Sequence, residues 1–177
     1  IPELPATTLT RYCYQYMFDG CSNLYKAPIE LPATVAVNYC YYYMFDGCKS
    51  LTTAPEILLN DKGTGGKYAS ILGNSAPCDD PMSYMFKNCK NLTTAPELPA
   101  TTLATQCYSG MFEGCTSLTT APELPATTLT RNCYKNMFAG CTSLTTAPEL
   151  PATTLAYACY STMFSGCKAI KVITILA

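Results

Sequence analysis

Apolar positions recur along this chain as fixed columns. The dipeptide Met-Phe returns at Met17, Met44, Met85, Met111, Met137 and Met163, and the last four are spaced by 26 residues. A fuller phrase, C-Y-x-x-M-F-x-G-C-x-x-L-T-T-A-P-E-L-P-A-T-T-L, runs nearly unchanged from Cys107 to Leu155. A fixed period of this size predicts a solenoid, whose units bury their apolar faces only against their neighbours. Within one unit, Cys133, Tyr134, Met137 and Phe138 fall at i, i+1, i+4 and i+5 and predict a short helix with one broad apolar stripe. Thr130 is the expected N-cap, and Gly140 the residue that leaves the helix in the left-handed region. The same column holds Gly20, Gly47, Gly114 and Gly166, with Asn88 as the one substitute that also tolerates that conformation. Leu144-Thr145-Thr146-Ala147 then reads as a short strand ended by Pro148, with Leu144 and Thr146 facing inward. The Glu-Leu-Pro-Ala-Thr stretch that follows is expected to be extended, because residues before Pro avoid the helical region.

One short strand and one short helix per unit resembles a leucine-rich repeat. The phrase Met111-Phe112-Glu113-Gly114-Cys115-Thr116-Ser117-Leu118 and its five counterparts resemble the BspA-like class of bacterial surface leucine-rich repeats. The expected fold is therefore an α/β leucine-rich-repeat solenoid of about six 26-residue repeats, with one short parallel strand and one short helix each. The resemblance covers nearly the whole chain. It implies a right-handed solenoid on secreted or surface-anchored proteins of host-associated bacteria, serving adhesion or recognition, and it carries over no catalytic residue. The chain departs from the family by an additional Cys column four residues before Met, where an aliphatic residue is expected.

Residues 1–177 read as a single solenoid, expected to be incomplete at its N-terminus because the chain opens midway through a repeat. Met44 and Met85 are further apart than the period allows, and an inserted loop at about 57–81 carries the surplus. Insertions in solenoids map to loops on one face. The Gly-rich run Lys62-Gly63-Thr64-Gly65-Gly66-Lys67 inside it is not a phosphate loop: Asp61 stands where the first Gly is needed, and Tyr68 replaces the Ser or Thr. A surface loop tucked down by Ile57, Leu58, Leu59, Ile71 and Leu72 is the expected form. Near the other end, Ala169 to Leu176 is rich in β-branched residues and predicts either a longer closing strand or the start of a further module.

Composition narrows the chemistry. Charge is sparse, with 11 basic against 12 acidic residues. This argues against nucleic acid and against an anionic membrane surface as partners. No apolar run reaches the length of a transmembrane helix. There is no His, so imidazole-assisted catalysis and Cys-His zinc sites are excluded, and no CxxC pair suggests an all-Cys metal site. No cofactor and no enzymatic activity are expected. The 12 cysteines form two columns: Cys13, Cys40, Cys78, Cys107, Cys133 and Cys159, then Cys21, Cys48, Cys89, Cys115, Cys141 and Cys167. Two readings stand, buried thiols acting as small hydrophobes or disulfides in an oxidising compartment. Retention of both Cys78 and Cys89 beside the insertion favours one disulfide inside each repeat, worth about 2.5 kcal/mol per bridge.

Three polar or aromatic columns remain. Glu3, Glu30, Glu56, Glu97, Glu123 and Glu149 stack carboxylates, either as a cation ladder or splayed into water. Adjacent Thr pairs such as Thr119-Thr120 point to opposite faces, which argues against an ice-binding surface. Tyr14, Tyr41, Tyr108, Tyr134 and Tyr160 read as structural wedges between repeats. Tyr12, Tyr16, Tyr39, Tyr42, Tyr43 and Tyr84 fall outside that stripe, concentrate in the first half, and form the candidate ligand-binding patch. The leading expectation is a non-enzymatic adhesion or recognition module, extracellular or on the bacterial cell surface, with a lipid anchor as one mode of attachment. It would bind a protein or glycan on a host or neighbouring cell. The alternative is a structural accessory subunit of a larger surface assembly.

Overall fold

The computed structural model describes residues 3–33, 37–58 and 80–175. Six repeats stack in chain order, and one row of side chains runs through them. Met44, Met85, Met111 and Met137 are fully buried, with Phe45, Phe86, Phe112 and Phe138 beside them. The phenyl rings lie nearly parallel from Phe18 to Phe164, with centroids 5.3–5.8 Å apart. Tyr14–Tyr41 and Tyr108–Tyr134–Tyr160 make a second internal stack at 5.8–6.0 Å. These are the structural wedges expected from the sequence.

The expected helix is corrected. Among the described residues there is no helix; the Cys-to-Cys segment of each repeat is a chain of overlapping turns. In the fifth repeat, the N–H groups of Cys133, Lys135, Met137, Ala139 and Cys141 bond to the carbonyls of Thr130, Asn132, Tyr134, Asn136 and Phe138, three residues back. The alternate N–H groups, of Asn132, Tyr134, Asn136, Phe138 and Gly140, bond instead to Tyr157, Cys159, Ser161, Met163 and Ser165 of the next repeat. A helix would satisfy its N–H groups internally. Here every second one is satisfied by a neighbour, so the repeats are joined by backbone as well as by packing. Thr130 caps nothing; its hydroxyl donates to the Ala104 carbonyl of the preceding repeat at 2.7 Å.

Every second turn places its third residue at positive φ, giving three left-handed columns spaced four residues apart. The Gly20, Gly47, Asn88, Gly114, Gly140, Gly166 column is the one anticipated, at φ 57–77°. The other two are Tyr16, Tyr43, Tyr84, Gly110, Asn136, Thr162 and Tyr12, Tyr39, Asp80, Gln106, Asn132, Ala158.

Strand structure is brief. β1 (Glu30–Leu31) and β2 (Glu56–Ile57) pair in parallel. Single parallel bridges link Thr53, Thr94, Thr120 and Thr146, and link Thr102, Thr128 and Thr154. Leu144 is buried as expected, but Thr146 is exposed and pairs with Thr120 through its backbone. Proline on both sides of the Glu-Leu pairs at 97–98, 123–124 and 149–150 removes the N–H donors that a longer ladder needs, whereas Leu58 after β2 still donates to the Leu31 carbonyl. Most of the inserted loop, 59–79, lies outside the described residues, as do Cys78, Tyr68, Ile71 and Leu72. Its described flanks hold register: Ile57 is in β2, and the Pro81 carbonyl accepts from Tyr41 N–H at 2.9 Å. Pro81 thus occupies the first-Cys position of the third repeat. Near the other end, Ile175 bridges Leu150 while Val172, Ile173 and Ile175 remain exposed.

Candidate interaction surface

Two of the left-handed columns carry five of the six tyrosines, Tyr12 and Tyr39 in one and Tyr16, Tyr43 and Tyr84 in the other, and the turn ladder brings Tyr42 in beside them. Tyr12 stacks on Tyr39 at 5.2 Å with an interplanar angle of 8°. Tyr16 stacks on Tyr43 at 5.3 Å, and Tyr43 on Tyr84 at 4.7 Å. Tyr42 bridges the two rows edge-on, with centroids 5.7 Å from Tyr16, 5.4 Å from Tyr39, 4.6 Å from Tyr43 and 6.2 Å from Tyr84. Burial, with neighbouring phenols adding to it, pushes the Tyr42 and Tyr43 hydroxyls above the ordinary phenol range. Tyr42 and Tyr43 therefore stand at the centre of the patch as neutral phenols.

Its open side is at the first repeat, where Tyr12 and Tyr16 are 51% and 47% exposed. The opposite end is closed by Gly110. A Cβ built there would stand 2.2 Å from the Tyr84 ring, so only glycine lets the next turn lie flat against that ring. Two cations border the rings: Lys87 Nζ lies 5.1 Å from the Tyr84 centroid and 6.0 Å from that of Tyr43, and Arg11 lies 6.0 Å from Tyr12. Lys87 also pairs with Glu113 at 3.2 Å. Neither Lys87 nor Gly110 was singled out from the sequence. Recurrence of the left-handed position every four residues would have pointed to Gly110, but in that column it is masked by tyrosine; Lys87 lies outside the left-handed columns and no such signal marks it.

Past Tyr84, polar residues replace the rings. Asp80 Oδ1 accepts from Ser83 Oγ at 2.8 Å and from Gln106 Nε2 at 2.6 Å, and Gln106 Oε1 accepts from Asn132 Nδ2 at 3.1 Å. Thr162 donates to Asn136 Oδ1 in the parallel column.

The cysteines also differ from expectation. The eleven described ones, all but Cys78, are thiols rather than in-repeat disulfides. Cys48, Cys89, Cys115, Cys141 and Cys167 each donate to a Phe carbonyl of the preceding repeat (Phe18, Phe45, Phe86, Phe112 and Phe138) at 2.9–3.1 Å. The second Cys column is therefore turned toward the neighbouring repeat, away from its partner eight residues earlier. Burial pushes Cys133 up to about 11 and Cys48 and Cys141 up to about 12, and lifts Cys115 well above the thiol norm. Among the described residues, no group of three or more Cys, Asp or Glu is placed to hold a metal ion.

The family model described as BspA type leucine rich repeat region matches six copies, over residues 3–57 and 82–177. The chain belongs to this family. No curated protein and no solved structure matches it. As a BspA-type chain it is a repeat solenoid of the protein-interaction kind, and its matched segments stop on either side of the stretch where the loop is inserted.

Proposed function

We propose that this BspA-type chain is a non-enzymatic recognition module of the bacterial cell surface, holding a protein partner through Tyr12, Tyr16, Tyr39, Tyr42, Tyr43 and Tyr84. The observation that carries the reading is the ring stacking. A sugar packs on an open aromatic face, yet within the rows Tyr39, Tyr43 and Tyr84 are stacked on neighbouring rings and Gly110 covers Tyr84, which leaves Tyr12 and Tyr16 as the rings open to solvent at the first repeat. Beyond those two, what the rows offer outward is ring edges and hydroxyls on a preorganised backbone. That combination of large area and low conformational entropy serves tyrosine-rich protein-binding surfaces. Localisation outside the cell follows the family's usual setting, and among the described residues no helix is long and apolar enough to cross a membrane. The accessory-subunit reading has its own support in the first repeat, where Met17 of the otherwise buried row is 44% exposed and stands ready to be covered.

The test is the double variant Tyr16→Asn, Tyr43→Asn. Asn136 occupies the same column at positive φ, so the backbone accepts the change. Binding is measured in parallel on a panel of purified extracellular proteins and on a glycan array. Expected is a protein ligand whose affinity falls by about 2 kcal/mol or more in the variant. Ligands found only among glycans, or protein binding indifferent to both substitutions, would overturn the proposal.

A further inference from the structure

A second surface runs along the solenoid, built from the Ala-Pro-Glu-Leu-Pro segments. Each adjacent pair of these segments encloses an open hollow. One of about 450 Å³ is lined by Ile29, Pro55, Ile57, Pro96 and Pro99 among others. The next, about 390 Å³, lies between Pro96–Pro99 and Pro122–Pro125, and a third, about 250 Å³, between Pro122–Pro125 and Pro148–Pro151. Another of about 460 Å³ opens between Leu4–Pro5 and Ile29–Pro32. Neighbouring hollows share walls, so they join into one trough. Glu56 and Glu97 line the same hollow, so the two are neighbours in the row.

The lining residues are proline, alanine, leucine and isoleucine together with Glu3, Glu30, Glu56, Glu97, Glu123 and Glu149, which are the charged residues of the row. No Lys or Arg lines any of these four hollows. Five of these six side chains are solvent-exposed and Glu30 is half-buried. The trough thus combines proline and aliphatic residues with charge of a single sign.

We infer that this trough docks an extended protein segment carrying Lys or Arg at every third position. The register argument is direct. Parallel neighbours recur at about 4.8 Å, so alternate carboxylates are about 9.6 Å apart. Three residues of an extended polyproline-type chain advance about 9.3 Å. Each third side chain therefore meets every second Glu, and the two residues between fall over the proline-lined hollows. Arginine suits these carboxylates best, because its planar fork binds each with two hydrogen bonds. Single exposed ion pairs contribute little. A row of them on one rigid scaffold gains from being engaged together.

The experiment uses the whole chain and a fluorescent synthetic peptide repeating Pro-Pro-Arg, with a Pro-Pro-Glu repeat as its control, read by anisotropy. The variant is Glu97→Gln, Glu123→Gln, Glu149→Gln; these side chains are exposed, and an unchanged circular dichroism spectrum certifies the fold. Expected is binding of the basic peptide alone, weakened about tenfold or more in the triple variant and weakened again by salt. Equal binding of both peptides, no binding of either, or basic-peptide binding unaffected by the three substitutions would overturn the inference. The tyrosine patch is untouched by this variant, so the two surfaces fail or succeed separately.

Discussion

The first three repeats and the last three share one backbone and dress it differently. In both halves alternate N–H groups bond across the repeat junction, Met and Phe fill the core, and positive φ recurs every four residues. At those left-handed positions the first half carries Tyr12, Tyr39, Tyr16, Tyr43 and Tyr84, and the second carries Gln106, Asn132, Gly110, Asn136 and Thr162. One half links its columns by stacked rings, the other by a chain of side-chain hydrogen bonds that starts from Asp80. A non-Gly residue in the left-handed region costs about 1–2 kcal/mol. Either kind of column has to offset that cost at each junction. The shared ladder therefore sets the fold, while the columns are free to set what each half presents outward.

The largest expected effect belongs to the shared part. Buried thiols hold their protons in the folded chain far above the value of 9.0 ordinary for cysteine, Cys133 to about 11 and Cys48 and Cys141 to about 12. Above about pH 9 the unfolded chain releases those protons while the folded one keeps them, so stability is complete below that pH and falls up to about pH 12. Each thiol contributes at most about 1.4 kcal/mol per pH unit, and several act together. Urea midpoints measured from pH 8 to 12 should fall steeply, and Cys48→Ala and Cys141→Ala should each flatten the curve by a similar amount. A flattening confined to one half would show that the ladder is not shared.

Next comes the seam between the halves. Gly110→Ala puts a methyl 2.2 Å from the Tyr84 ring at a backbone φ of +58°. Displacing the ring and straining the turn should together cost about 2–4 kcal/mol. Adding Tyr84→Ala should return the steric part and leave the backbone part, a coupling that a double-mutant cycle in urea reads directly. Additive costs would mean that Gly110 does not serve to close the aromatic row.

Much of this was legible in the residues. The Met-Phe period gave the stack and its core, and the Gly/Asn column gave one left-handed position correctly. The same column suggested a helix end, because a turn that leaves a helix and a turn repeated every four residues both need that conformation at Gly140. What decides between them is where the N–H of Asn136 or Tyr134 finds its acceptor, and that acceptor sits in the next repeat, beyond the reach of local periodicity. The cysteine columns were visible too. Their orientation was not, since the Phe carbonyl that Cys141 meets lies 29 residues earlier. The tyrosine patch was read from composition along the chain, whereas the stacking that covers its faces is a product of register.

The smallest effect tests whether the two kinds of column are interchangeable. Tyr39 and Asp80 are successive members of one column, as Asp80 and Gln106 are. Tyr39→Gln would remove the stack on Tyr12 and the edge contact with Tyr42, together worth about 1–2 kcal/mol. It would also place an amide beside Asp80, where Gln106 already donates from the other side at 2.6 Å. A hydrogen bond to a charged acceptor contributes about 1.5–3 kcal/mol when well formed. The two changes should therefore nearly cancel, leaving stability within about 1 kcal/mol of the parent in urea. Binding at the aromatic surface should still weaken, because the row that presents Tyr12 has lost its support. A stability loss above about 3 kcal/mol would mean that aromatic columns are required in the first three repeats, and that presentation there cannot be varied without loss of the fold.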